Sequence, residues 1–142
     1  MRRDRSGSSE RRLMSADDIA NLKVLLVEDF AVNQMVALRM LAKLGIEADC
    51  VENGVQAVEA HEKNGYDLIL MDCEMPVLNG FDATGKIRAS ENGDEHVSII
   101  AMTAHFGDDE ERRCKAAGMD DFIAKPIRVA GLRQKITEVT DN

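Results

Sequence analysis

Five side chains suited to acid, metal or anion chemistry follow or end short apolar runs of the sequence. They are Glu28, Asp29, Asp72, Thr103 and Lys125. The segment LILMDCEMP, residues 68–76, shows the pattern, because an apolar run leads into a carboxylate and a proline follows four residues later. A short apolar run bounded by a turn signal is typical of a buried strand. We therefore expect Asp72 at the carboxyl end of a buried strand.

Carboxylates gathered at one strand edge repel one another, because like charges a few ångströms apart raise each other's pKa unless a cation intervenes. Oxygen ligands suit Mg²⁺, which takes one or two carboxylates and leaves positions for water and phosphate oxygens. Lys125 adds a second positive charge, and Thr103 adds a hydroxyl. These groups suit a tetrahedral anion. The residues therefore predict phosphoryl transfer, with a carboxylate as the covalent acceptor and an acyl phosphate as the product.

Five apolar runs alternate with segments that carry helix signals. The runs cover residues 22–28, 46–51, 67–72, 97–103 and 121–124. Asn53 with Gln56, and Asp108 with Glu111, resemble capping boxes, and Pro126 fits a first helical position. Strands that alternate with helices imply right-handed crossovers and a parallel sheet covered on both faces. Ligands bind at the carboxyl ends of such strands, so the five side chains should meet at one edge of the sheet.

Length and charge limit the classes of protein that fit. The chain has 142 residues, room for one domain, and a formal net charge of −8. Residues 1–12 carry five arginines against two acids, so the remainder is strongly acidic, which argues against nucleic acid as the main ligand. We interpret residues 1–21 as a flexible tail or linker and residues 22–140 as the domain.

Apolar runs and cysteines bear on location. No apolar run is long enough for a membrane span or a signal peptide. Cys50, Cys73 and Cys114 are odd in number and lack the spacing of metal ligands, which favours reduced thiols. We therefore expect a cytoplasmic protein.

The sequence resembles the receiver domain of two-component response regulators over residues 22–139, in particular receivers attached to hybrid histidine kinases. The motifs that carry the resemblance are LLVED, LILMDCEMPVLNG, IIAMTA and AAGMDDFIAKPI, in this order. The resemblance implies a flavodoxin-like, doubly wound (βα)5 fold whose five-stranded parallel sheet has the order 2-1-3-4-5. It also implies a phosphoacceptor in two-component or phosphorelay signal transduction, which is a signalling domain and not an enzyme beyond its self-catalysed phosphotransfer and dephosphorylation.

The same resemblance implies roles for the acidic residues. Asp72 would be the phosphoacceptor, taking its phosphoryl group from a phosphohistidine on a histidine kinase or a histidine phosphotransfer protein. Mg²⁺ would be the cofactor, with Asp29, Asp72 and the backbone carbonyl of Glu74 as direct ligands. Glu28 would act mainly through a metal-bound water.

Other residues would bind the phosphoryl group and pass on the signal. Lys125, the hydroxyl of Thr103 and the backbone N–H of Ala104 would contact the phosphoryl oxygens. Thr103 and Phe122 would form a switch, and the Lys125–Pro126 peptide bond would be cis, which is mainly a proline feature. Output would be contact with a downstream protein, by a monomer or a weak phosphorylation-dependent dimer, without nucleic acid or membrane insertion.

Three residues beside the site differ among receivers or depart from the common pattern. Glu74 and His105 lie two residues past Asp72 and Thr103, and we hypothesise that they set the lifetime of the phosphoryl group. Phe30 stands where a polar residue is common. We interpret it chiefly as a core residue, with a docking surface as the alternative.

The first helix of the domain, expected from about 31 to 44, carries two apolar stripes. One consists of Ala31, Met35, Leu38 and Ala42, and the other of Val32, Val36 and Met40. One stripe must face the sheet, and a stripe left uncovered would be a docking surface for kinases or phosphotransfer proteins. We expect Val32, Val36 and Met40 to be the docking residues.

Alternatives from other classes remain. A phosphatase of the haloacid dehalogenase kind also uses a strand-end aspartate and Mg²⁺, but it needs a second aspartate where this sequence has Glu74. Its further metal-binding acids would lie downstream of the nucleophile, whereas the acidic pair of this sequence, Glu28 and Asp29, lies upstream. A degenerate receiver that only binds partners would not need the intact acceptor, metal ligands and lysine. A flavin protein would need more aromatic residues than one tyrosine and four phenylalanines.

Overall fold

The computed structural model describes residues 15–75, 77–105 and 107–140. Pro76 and the first 14 residues of the expected tail lie outside them. The helices are α1 (Ala16–Ala20), α2 (Ala31–Lys43), α3 (Gly54–Asn64), α4 (Gly80–Ser90), α5 (Asp108–Ala117) and α6 (Val129–Thr140). The strands are β1 (Val24–Val27), β2 (Asp49–Val51), β3 (Leu68–Asp72), β4 (Ser98–Thr103) and β5 (Asp121–Ala124). None of the helices in these ranges is long and apolar enough to cross a membrane.

The five strands form one parallel sheet in the order β2-β1-β3-β4-β5. The chain therefore starts in the middle of the sheet, moves to one edge and then crosses back to build the other half. This strand order confirms the expected doubly wound fold. It also places a reversal of strand order between β1 and β3, where ligands of open parallel sheets bind.

Helices cover both faces of the sheet, which explains the unbroken apolar runs in the sequence. Leu26 of β1 and Leu70 of β3 pack in a core with residues of α1, α2 and α6. Leu25 and Ile69, one residue earlier in each strand, pack in a second core with residues of α3, α4 and α5. Successive side chains of a strand point to opposite faces, so β1, and β3 as far as Met71, need apolar residues at every position.

The last residues of the expected flexible tail form a short helix. Ser15 accepts a hydrogen bond from the backbone N–H of Asp18, while the Asp18 carboxylate accepts from the backbone N–H of Ser15. This capping box starts α1, and Ile19 on that helix is fully buried in the first core. Ordered structure therefore begins before residue 22, because one apolar side chain ties the short helix to the domain.

Three local expectations also need correction. Asp108 and Glu111 do not form a capping box, because Gly107, at a φ of 134°, takes the N-cap position of α5 and Asp108 is its first helical residue. Pro126 does not open a helix, since α6 begins at Val129. β2 covers only Asp49–Val51, instead of the whole run from residue 46.

Candidate functional site

The strand ends bring the five chemically active side chains to one edge of the sheet. Val27 of β1 pairs with Met71 of β3, which places Glu28 and Asp29 beside Asp72. On the other side of β3, Asp72 pairs with Met102, and Thr103 follows as the last residue of β4. Thr103 in turn pairs with Ala124, after which comes Lys125. Parallel pairing therefore gathers the predicted residues without any long loop.

The three carboxylates form a cluster with the dimensions of a metal site. One oxygen from each of Glu28, Asp29 and Asp72 lies within 4.8 Å of the others. Glu28 and Asp72 are buried, at 2% and 4% exposure, whereas Asp29 is exposed. Two buried carboxylates beside an exposed one leave an open side for water or a ligand. This donor set of hard oxygens fits Mg²⁺.

Lys125 is the cation that the chain itself supplies to this cluster. Its Nζ lies 3.0 Å from Oε1 of Glu28 and 3.2 Å from Oδ1 of Asp72. Burial alone would lower the pKa of Lys125, but its bonds to the two carboxylates hold that pKa above the usual value. The Lys125–Pro126 bond is cis, as expected. The backbone N–H of Lys125 also donates to the carbonyl of Thr103 at 2.8 Å, which fixes the lysine to the end of β4.

One lysine does not balance the acidic cluster. Burial first, and then the charge of Glu28, raise the pKa of Asp72 to about 6, although Lys125 and the N–H of Glu74 act in the opposite direction. The charged form of Asp72 is therefore held at a cost in the protein alone. A divalent cation at this edge would favour that charged form, which is a second reason why the residues fit Mg²⁺.

Loop backbone next to Asp72 contributes to the site as well. The N–H of Glu74 donates to Oδ1 of Asp72 at 3.2 Å. Gly80, the first residue of α4, packs so closely on the carbonyl of Asp72 that a Cβ there would clash with it, and its N–H donates to the carbonyl of Cys73 at 3.1 Å. Asn79 caps α4, because its side-chain oxygen accepts a hydrogen bond from the N–H of Asp82. The start of α4 thus holds the end of β3.

Glu74 and His105 come together at the mouth of the site. His105 Nδ1 lies 3.2 Å from Oε2 of Glu74, and both side chains are about three-fifths exposed. One follows Asp72 and the other follows Thr103, so the pair bridges two neighbouring strand ends. The sequence placed both residues beside the phosphoryl position but gave no sign that they touch.

Thr103 has a partner that the sequence did not suggest. Its hydroxyl lies 3.3 Å from Oε2 of Glu110, a buried acid in the first turn of α5. The expected capping box had drawn attention to Glu111 instead. Glu110 was missed because nothing in the order of residues shows that this acid of an acidic turn points inward. Phe122, the other expected switch residue, packs partly buried against the second core, and Ala104 is exposed.

Helix α2, which the sequence predicted as the first helix of the domain, leaves apolar side chains exposed. Its buried residues are Ala37 and Leu41, which belong to neither expected stripe. Val32 and Val36 are exposed, at 56% and 43%, whereas Met40, the third expected docking residue, packs partly against the core. Met35 is exposed at 52%, in a shallow groove of the other stripe.

Phe30, interpreted chiefly as a core residue, is 56% exposed at the N-cap of α2, so that interpretation is wrong. Its ring lies at the surface because the residue stands where the chain leaves β1, and its N–H donates to Oε2 of Glu28 at 3.3 Å. Gln34 likewise donates to the carbonyl of Glu28 at 2.6 Å. These two bonds, which the sequence did not indicate, fix Glu28 from the side of α2.

A fold and a site of this kind define a phosphoacceptor module built on a doubly wound sheet. The family model described as response regulator receiver domain matches residues 24–137, and the chain belongs to that family. The match includes every residue of the site described above. It decides against the phosphatase and flavin alternatives.

Curated relatives are much longer proteins that contain a similar segment. The chain is 42% identical over 120 residues to hybrid signal transduction histidine kinase B of Dictyostelium discoideum, a match over 78% of this chain and 6% of that kinase. It is 38% identical over 142 residues to probable histidine kinase 1 of Oryza sativa subsp. indica, over 79% of this chain and 15% of that protein. The chain thus spans a small part of these relatives.

Solved structures of receiver domains are also similar to this chain. The receiver domain of a sensor histidine kinase from Pseudomonas aeruginosa, with magnesium coordinated in its active-site cleft, superposes with a TM-score of 0.78 at 45% identity, covering 85% of this chain and 98% of that one. A Saccharomyces cerevisiae receiver domain, solved with a histidine phosphotransfer signaling protein, has a TM-score of 0.76 at 32% identity, covering 84% and 88%.

Proposed function

We propose that Asp72 accepts a phosphoryl group from a phosphohistidine of a partner protein in two-component or phosphorelay signalling. The observation that carries the proposal is the setting of Asp72. The residue ends a fully buried strand, and its Oδ1 lies 3.2 Å from both Lys125 Nζ and the N–H of Glu74. A carboxylate held this firmly loses little orientational freedom when it meets an incoming phosphorus.

The reacting groups of the proposed transfer are the carboxylate of Asp72 and the phosphohistidine of the donor. An oxygen of Asp72 forms a bond to phosphorus while the phosphorus–nitrogen bond to the donor imidazole breaks. The electron pair of that bond stays on the nitrogen, and the ring leaves as neutral imidazole when its other nitrogen carries a proton. Lys125, the hydroxyl of Thr103 and the N–H of Ala104 stabilise the charge on the phosphoryl oxygens.

The acidic cluster would hold Mg²⁺. Asp29, Asp72 and the backbone carbonyl of Glu74 would be direct ligands, and Glu28 would contact the ion mainly through water. When bound, the ion supplies positive charge to the carboxylates and to the phosphoryl oxygens. Support comes from the three carboxylate oxygens within 4.8 Å of one another and from the raised pKa of Asp72.

Output would be a change of surface. Phosphorylated Asp72 would carry about two negative charges where the free carboxylate carries one. The Thr103 hydroxyl would turn to the phosphoryl group, and Phe122 would follow. The altered face would then bind a downstream protein, as a monomer or a weak phosphorylation-dependent dimer. The chain would catalyse only its own phosphotransfer and dephosphorylation, in the cytoplasm, where the thiols of its cysteines stay reduced.

The exposed apolar side chains of α2 would receive the phosphodonor. Val32 and Val36 lie on the helix that follows Asp29, so a protein seated there would reach the mouth of the site. Met40 would add adaptable contact area at the edge of this surface. The donor would be a histidine kinase or a histidine phosphotransfer protein, and apolar contact would align its phosphohistidine with Asp72.

The proposed function is tested by intact mass after incubation with acetyl phosphate, with and without Mg²⁺. One phosphoryl adduct that needs the metal and is lost in Asp72→Asn is expected. Asp67→Asn, at the other end of β3, is the matched control and should be modified like the wild type. An adduct that persists in Asp72→Asn would refute the assignment of the acceptor.

A further inference from the structure

The hydroxyl of Thr103 is engaged by a carboxylate that belongs to no part of the site proposed above. Oγ1 of Thr103 lies 3.3 Å from Oε2 of Glu110 and accepts the N–H of His105 at 3.0 Å. Both residues are buried, Thr103 at 2% and Glu110 at 9% exposure. The backbone carbonyl of His105, also at 3.3 Å, is the other acceptor, but a carboxylate accepts more strongly. The single hydroxyl proton therefore goes to Glu110.

The two oxygens of Glu110 have separate partners. Oε1 lies 3.7 Å from Nη1 of Arg113, whose side chain is 61% exposed and whose guanidinium sits 4.3 Å from the centre of the Phe81 ring. Oε2 is the oxygen directed to Thr103. Arg113 is therefore a partly exposed counter-charge on the oxygen of Glu110 that does not face Thr103, so it leaves the bond to Thr103 intact.

We propose that Glu110 is a positioning residue that holds the Thr103 hydroxyl in its resting orientation and so opposes phosphorylation of Asp72. This inference rests on the function proposed above, in which the same hydroxyl donates to the phosphoryl group. A hydroxyl donates one hydrogen bond at a time, so the phosphorylated state forms only at the cost of the bond to Glu110. Glu110 thereby sets the balance between the two states of the switch.

The test measures affinity for beryllofluoride, an analogue of the phosphoryl group, in the presence of Mg²⁺. In Glu110→Gln the acceptor is a neutral amide oxygen, and the analogue should bind about fivefold more tightly, the usual gap between a charge-assisted and a neutral hydrogen bond. Glu110→Asp keeps the charge but draws the carboxylate away from Thr103, and should tighten binding in the same direction. Glu111→Gln makes the same charge change one residue away and should bind like the wild type.

A double-mutant cycle separates positioning from a structural role. In the Thr103→Val background the hydroxyl is gone, so Glu110→Gln should no longer change the affinity. An unchanged gain in that background, or a gain in Glu110→Gln with none in Glu110→Asp, would show that charge alone acts and would overturn the inference. A wild-type affinity in both Glu110 variants would overturn it too. A wild-type protein that binds no beryllofluoride at all would instead contradict the proposed function.

Discussion

The ammonium group of Lys125 lies 3.2 Å from Oδ1 of Asp72, although the two residues are 53 positions apart and their strands are separated by β4. The contact exists because the side chain of Lys125 reaches across the end of the intervening strand. The same ammonium group also meets Glu28, at 3.0 Å. Lys125 is thus the counter-charge of a buried acidic pair as well as a proposed ligand of the phosphoryl group.

Replacing Lys125 should destabilise the protein without metal. In Lys125→Met the acidic pair loses its cation, and we expect the free energy of unfolding to fall by about 1–3 kcal/mol, measured by urea denaturation in a chelator. Lys125→Arg keeps the charge and should lose less. In an Asp72→Asn background the cost of Lys125→Met should shrink, and an equal cost there would contradict direct pairing of the two side chains.

The pH dependence of stability should report on Asp72. Its pKa is about 6 in the folded protein, above the ordinary 3.8, so the folded state binds the proton more tightly than the unfolded state does. The contribution of Asp72 to stability is therefore full below about pH 4 and is lost as the pH rises through about 6. Without metal at pH 7.5, Asp72→Asn should be more stable than the wild type by roughly 1–3 kcal/mol, and at pH 4 the difference should vanish.

Mg²⁺ gives the control for the pH experiment. The ion should stabilise the wild type at pH 7.5 and narrow its difference from Asp72→Asn. The exposed Glu47→Gln, which makes the same kind of charge change far from the cluster, should follow the wild type at every pH. A difference between Asp72→Asn and the wild type that stays constant from pH 4 to 7.5 would refute the raised pKa.

The contact between Glu74 and His105 should affect how long the phosphoryl group survives. The pair lies over the mouth of the site, so removing either side chain should open a path for water and speed dephosphorylation, by about threefold or more. Because the contact needs both side chains, the double variant Glu74→Ala with His105→Ala should raise the dephosphorylation rate little more than either single variant does. The dephosphorylation rate is measured as the loss of the phosphoryl adduct over time. Variants whose rates lie within error of the wild type would refute this role.

The apolar surface of α2 should matter for a protein donor only. Val36→Asp should slow phosphoryl transfer from a phosphorylated histidine phosphotransfer protein at least tenfold, because it places a charge in an apolar contact. Its modification by acetyl phosphate should be unchanged. Val55→Asp, at an exposed valine of α3, is the matched control. Equal losses with both donors would indicate misfolding and not a lost docking contact.

Strand-end chemistry could be predicted from the sequence because it depends on pattern alone. An apolar run marks a buried strand, and parallel pairing then brings Glu28, Asp72, Thr103 and Lys125 together whatever the loops do. The resemblance supplied what pattern could not, including the cis bond before Pro126. The family match, the observed strand order and the carboxylate cluster confirm the predicted family, the predicted fold and the fit of the acids to Mg²⁺. The individual roles of these residues remain predictions.

Other features depend on which way a side chain turns, and the sequence could not show this. Ile19 looked like part of a polar tail, yet its burial against the core makes Ala16–Ala20 a helix. Phe30 looked like a core residue, yet the chain leaves β1 with its ring outward. Glu110 is one of four acids in the first turn of α5, and only packing turns it toward Thr103.

Chemical trapping of the phosphorylated residue tests the central claim most directly. Borohydride reduces an acyl phosphate on aspartate to homoserine, so the protein would be incubated with Mg²⁺ and acetyl phosphate, reduced, digested and sequenced by mass spectrometry. We expect homoserine at position 72 and at no other position, and only when Mg²⁺ is present. Homoserine at position 29, or a stable phosphoryl group on a serine, threonine or histidine with position 72 unchanged, would contradict the assignment of Asp72 as the acceptor.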